Sequence, residues 1–136
     1  MIINGINIDA LINSYKKFKQ FYTRVLNPQP SDDLELNDAG LIQGFEFCYE
    51  RCWKVMLRLL KKEGHKPQST KEIFRLAAKA GYITDPEVWF LFQDKRNASS
   101  HVYSEDEMEA VLMGIQQFEG EAAAFIKKIA GPHALD

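Results

Sequence analysis

The sequence predicts an all-α protein, an up-and-down bundle of about five helices, three long and two short. Three observations predict it. Apolar residues recur at helical steps over long segments, no segment alternates with the period of a strand, and capping or breaking residues fall between the periodic segments.

In the first segment Ile8, Leu11, Tyr15, Phe18, Tyr22 and Val25 step without a break, the seam of an amphipathic helix from about Ile8 to Leu26. Asn27-Pro28-Gln29-Pro30-Ser31 ends it, because Pro28 lacks an N–H and pushes Asn27 out of the α region. A second helix starts between Leu34 and Gly40 and runs to about Glu63, with Leu41, Phe45, Cys48, Cys52, Val55 and Leu59 on one seam. Ile42, Tyr49, Trp53, Met56 and Leu60 add a second stripe, so this helix should sit centrally and touch more than one neighbour. Gly64 is a C-cap residue, and Ser69-Thr70-Lys71-Glu72 has the form of a capping box that opens a short third helix, closed at Gly81. Asp85-Pro86 supplies an N-cap with proline at the first helical position for the fourth helix, through Val88, Trp89, Leu91 and Phe92. Ser104-Glu105-Asp106-Glu107 caps the last helix, which carries Met108, Val111, Ile115, Phe118, Ala122, Phe125 and Ile129 and stops at Gly131-Pro132.

A length of 136 residues fits one domain, residues 1–136, large enough to bury about two-thirds of its unfolded surface. No apolar run approaches the ~18 residues of a membrane span, and Met1-Ile2-Ile3-Asn4-Gly5 lacks the basic flank and apolar core of a signal peptide. A cytoplasmic protein without a membrane partner is expected. Cys48 and Cys52 stand one helical turn apart, a poor geometry for a disulfide, and no Cys/His set has zinc-ligand spacing, so neither a metal nor a cofactor is expected. Charge is unevenly placed. Between Arg51 and Lys79 nine Lys and Arg face only Glu63 and Glu72, a local balance of +7, while residues 28–50 hold six acids and no Lys or Arg. Such polarity reads either as two solvated faces or as the footprint of a polyanion or an acidic partner. The wide apolar face of the second helix and the aromatics of the first exceed what one bundle must bury, which predicts a homodimer.

The stretch Arg96-Asn97-Ala98-Ser99-Ser100-His101-Val102-Tyr103 places a permanent cation, an amide, a near-neutral proton carrier and a phenol close together. Arg can grip two phosphate oxygens, and an imidazole can take and give a proton, which are the groups a ribonuclease without metal requires. Residues five apart on a continuous helix diverge by about 140°, so the fourth helix should end near Ser99 or Ser100, letting the turn swing His101 towards Arg96. The bland reading is a cation at a helix C-terminus and a turn histidine. Asn97 either orients the imidazole or satisfies a carbonyl. Glu46, Glu50 and Lys54 form a ladder along the second helix, or Glu50 turns inward to pair with Arg96. Trp53 and Trp89 read as core.

These residues resemble the HEPN superfamily of all-α domains, and within it the nucleotidyltransferase substrate-binding proteins. The resemblance is carried by Arg96-Asn97, His101-Val102-Tyr103, Phe45-Glu46, Glu50, Trp53-Lys54, the segment from Ala77 to Ile83 and Trp89, over roughly residues 8–130. It implies a HEPN-like bundle, usually a homodimer, acting beside a minimal nucleotidyltransferase as a toxin and antitoxin pair. By that similarity Arg96 and His101 form a metal-independent endoribonuclease site completed across a two-fold axis. Tyr103 is then the hydroxyl that the partner enzyme modifies with AMP, and RNA and nucleotide are the implied ligands. The alternative within the same family is a non-catalytic subunit that presents a nucleotide or substrate to the nucleotidyltransferase.

Overall fold

The ends of the helices follow from local signals. Helix α1 (Asp9–Leu26) stops where the Asn27 N–H donates to the Thr23 carbonyl at 2.9 Å and Pro28 follows. Helix α2 (Leu34–Lys62) opens with the Asp33 carboxylate accepting the Leu36 N–H at 3.1 Å. It closes at Gly64, whose φ of 92° lets the His65 N–H reach back to the Leu60 carbonyl at 2.9 Å. Helix α3 (Thr70–Lys79) is capped as the sequence predicts, by Ser69 Oγ accepting the Glu72 N–H, while the Glu72 carboxylate accepts the Gln68 N–H. Helix α4 (Pro86–Ala98) begins with Asp85 Oδ1 accepting the Glu87 N–H at 2.9 Å. Helix α5 (Glu105–Ala130) completes the bundle. This computed structural model describes residues 1–98 and 105–136, so the expected Ser104 cap and the end of the turn before it lie outside the described residues.

Two short strands precede the bundle and leave the all-α class as expected. β1 (Ile2–Ile3) and β2 (Ile6–Asn7) pair antiparallel, Ile2 opposite Asn7 and Ile3 opposite Ile6. Asn4 and Gly5 both have positive φ, the signature of a two-residue hairpin turn. The strands are too short for alternation to show. The hairpin delivers Ile6 and Ile8 to the core, and Asn7 Oδ1 accepts the Asp9 N–H at the start of α1.

α2 is central and touches every other helix. It packs antiparallel against α1 through two glycines one turn apart: a Cβ on Gly40 would lie 2.3 Å from the Phe21 ring, and one on Gly44 would lie 3.2 Å from the Phe18 Cα. The core is aromatic. Phe118 of α5 meets Phe18 at 5.4 Å, Phe45 at 4.9 Å and Phe92 at 5.2 Å between ring centroids, all edge to face, so one side chain joins α1, α2, α4 and α5. Cys48 and Cys52 are free thiols buried in this core, and burial pushes the Cys52 thiol up. Among the described residues no helix is long and apolar enough to cross a membrane.

A polar link ties α1 to α5. Glu119 Oε1 accepts from the Tyr15 hydroxyl and from Lys19 Nζ, each at 2.8 Å. Burial alone would raise the Glu119 carboxyl, but these two hydrogen bonds and the Lys19 charge hold it below its ordinary value. A carboxyl lowered on folding stabilises above its unfolded pKa of about 4.3, and this contribution is lost as pH falls through the folded value. Glu119→Gln keeps an acceptor for Tyr15 but removes the charge. Its urea midpoint should lie below that of the wild type near neutral pH, and the gap should close below about pH 4; a gap unchanged down to about pH 3 would contradict the ionic origin.

Candidate functional site

On α4, Trp89, Phe92 and Arg96 follow one another at steps of 3 and 4 and share a face. Trp89 and Phe92 are buried in the aromatic core, their rings 5.1 Å apart and nearly perpendicular. Arg96, one turn further, emerges at the edge of that core with its side chain 38% exposed. On α2, Phe45 packs against the same Phe118 that receives Phe92, and Glu46 follows it. The shared ring brings the two helices together where Glu46 and Arg96 stand, and Glu46 Oε2 lies 3.9 Å from Arg96 Nη1.

Of the two readings of Glu50, the structure shows the pairing along its own helix. Glu50 pairs along its own helix with Lys54 at 3.6 Å, and Glu46 takes the position beside the guanidinium. The two glutamates are one turn, or about 6 Å, apart along the axis, and the crossing point of α2 and α4 selects between them. Asn97 is exposed. His101 and Tyr103 lie outside the described residues.

Tyr49 also belongs to this region, although in the sequence it reads only as part of the apolar stripe. It is 4% exposed and stands three residues after Glu46, on the same side of α2. Burial pushes its phenol up while the Arg96 charge pulls it down, so the hydroxyl stays protonated within electrostatic reach of the guanidinium. The spacing Glu46-x-x-Tyr49 was the available signal, hidden because Tyr49 fits the packing pattern equally well. On α4 the Trp89 Nε1 donor and the Gln93 Oε1 acceptor are buried without a hydrogen-bond partner among the described residues. Chemically the arrangement offers a planar cation at the rim of a rigid core with the Glu46 carboxylate beside it. A single half-exposed ion pair contributes at most about 1 kcal/mol, so its effect is to orient the guanidinium rather than to stabilise the fold.

Residues 6–130 match the family model described as "Nucleotidyltransferase substrate binding protein like". The chain belongs to that family. Over 146 aligned positions covering all of both chains, this family member is 28% identical to a protein of Haemophilus influenzae named probable ribonuclease HepT. A solved structure from Haemophilus influenzae, described as the fold of a substrate binding domain of a nucleotidyltransferase, superposes with a TM-score of 0.81 at 28% identity, covering 90% of this chain and 98% of the other. A HEPN toxin of Shewanella oneidensis, tri-AMPylated and in complex with its MNT antitoxin, shares the fold at a TM-score of 0.66 and 24% identity, covering 91% of this chain and 98% of the other. The family membership and the all-helical HEPN-like fold agree with what the residues of the second and fourth helices imply.

Proposed function

We propose that this chain is the HEPN toxin of a toxin and antitoxin pair, a metal-independent endoribonuclease neutralised by a minimal nucleotidyltransferase. One observation carries the reading: Arg96 stands beside Glu46 at the rim of the core, at the start of the Arg-Asn-x-x-x-His motif, in a chain related over its full length to a probable ribonuclease HepT. In this reading Arg96 holds the scissile phosphate and offsets the charge that gathers on phosphorus. His101 of one copy takes the proton of the ribose 2′-hydroxyl as its oxygen bonds to phosphorus, and His101 of the second copy gives one to the leaving 5′-oxygen. Asn97 orients the imidazole.

A second copy of the chain supplies a second Arg96 and His101, which separates the acid from the base. The support for a homodimer is exposed apolar surface outside the seams of α2, at Leu34, Leu36 and Phe47 as well as on α4 and α5. The wide face of α2 is largely covered within the chain, whereas Leu91 of α4 and Met113 of α5 are 54% and 72% exposed on helices that touch at Lys95 and Gly114. Tyr103, two residues after His101, is the acceptor of AMP from the nucleotidyltransferase. A phosphate there adds negative charge to the motif that begins at Arg96 and opposes the approach of RNA.

Expression of the chain alone tests the reading. Growth should arrest, and co-expression of the nucleotidyltransferase should restore it, with additions of AMP mass on the peptide containing Tyr103 that vanish in Tyr103→Phe. Light scattering of the same protein should report a dimer at micromolar concentration. Growth without arrest, a stable monomer, or neutralisation with modification confined to another residue would each overturn the corresponding part.

A further inference from the structure

Between the first half of α1 and the second half of α2 lies a groove of about 370 Å³, lined by Asn13 and Lys17 on one side and Phe47, Glu50, Arg51 and Lys54 on the other. Its position follows from the packing. Gly40 and Gly44 let α1 sit directly on the first half of α2, and beyond them the same side of α2 carries long side chains.

Charge in the groove is unbalanced. Lys54 is matched by Glu50 at 3.6 Å, whereas Lys17 and Arg51 are exposed and have no ion pair or hydrogen bond among the described residues. Between them Phe47 is 56% exposed, an aromatic ring in water on a helix whose Phe45, Cys48 and Tyr49 are buried. Unmatched cations beside an open aromatic face suit a ligand with phosphates and flat bases.

We propose that this groove binds a single-stranded RNA segment flanking the scissile phosphate, with Lys17 and Arg51 on its phosphates and Phe47 stacked on a base. The proposal rests on the ribonuclease reading above and names where the rest of the substrate lies. Along the axis of α2, Phe47 and Arg51 lie about 1.5 Å and 7.5 Å beyond Glu46, the partner of Arg96, but about 100° and 140° around the helix from it, so a strand that reaches both the groove and Arg96 has to wrap around α2.

The test uses the full chain carrying His101→Ala, which binds without cleaving, and a fluorescently labelled single-stranded RNA of mixed sequence, read by anisotropy. Adding Phe47→Ala should weaken binding about tenfold or more. Adding Lys17→Ala with Arg51→Ala should weaken it further and flatten the dependence of log affinity on log salt by about 0.7 for each phosphate that is no longer neutralised. Circular dichroism should show all variants equally helical. In chains that keep His101, the groove substitutions should raise KM for RNA and leave kcat in place. Affinity and salt slope unchanged in the groove variants, or no RNA binding by the parent, would overturn the proposal. So would RNA binding that is unchanged while dimerisation or capture of the nucleotidyltransferase disappears. The ribonuclease reading fails separately, if His101→Ala cleaves as well as the wild type.

Discussion

His101→Ala should lower RNA cleavage by at least about a hundredfold and remove growth arrest, while circular dichroism shows an unchanged helical content. The magnitude is that of a positioned acid or base, about 10²–10⁴ in rate. Arg96→Ala should be as severe, since it removes the only cation assigned to the phosphate, and Arg96→Lys should recover part of the activity, because it keeps the charge but loses the planar fork. Arg96 sits at the rim of the core with its side chain part-exposed, so neither loss should be traceable to unfolding. Cleavage should persist in EDTA. Activity unchanged in His101→Ala, or a strict need for a divalent metal, would contradict the acid and base assignment.

Phe118→Ala should be the most destabilising single truncation in the fold. The ring is fully buried and makes edge-to-face contacts with Phe18, Phe45, Trp89 and Phe92 on three different helices. Replacing a buried phenylalanine by alanine costs about 3–5 kcal/mol, against a total stability of about 5–15 kcal/mol for a domain of this kind. Urea unfolding should show that loss, and Phe118→Leu should restore most of it by refilling volume. The truncation should also disturb the candidate site at a distance, because Phe118 is the ring on which Phe45 and Phe92 converge, one position and one turn from Glu46 and Arg96. A loss below about 1 kcal/mol would mean that the aromatic cluster collapses around the gap.

The sequence by itself determined what depends on neighbours along the chain. Ser69 and Asp85 each bind an N–H two or three residues on, Pro28 breaks α1 where it stands, and Gly64 closes α2, so helix number, order and these limits were legible without knowing any contact, whereas the Asp33 cap settles a start of α2 that the pattern left between Leu34 and Gly40. The same holds for Arg96 and Asn97 on the last turns of the fourth helix, and for the family, because its motif is a run of residues. The Asn4-Gly5 hairpin was missed although its turn residues were in plain view, since two-residue strands leave no period to detect. Tertiary structure decided the rest. Glu46 and Glu50 lie on one side of α2 at equal chemical value, and only the point where α4 crosses α2, set by the Phe45, Phe118 and Phe92 rings, gives Arg96 to Glu46 and leaves Glu50 to Lys54. Likewise Lys17 and Arg51 read as unrelated surface charges until the close approach at Gly40 and Gly44 fixes how α1 lies on α2 and brings them to one groove. Helix limits are local free energies of capping and chain geometry, whereas partner choice between distant residues depends on how the core packs, which no local pattern encodes.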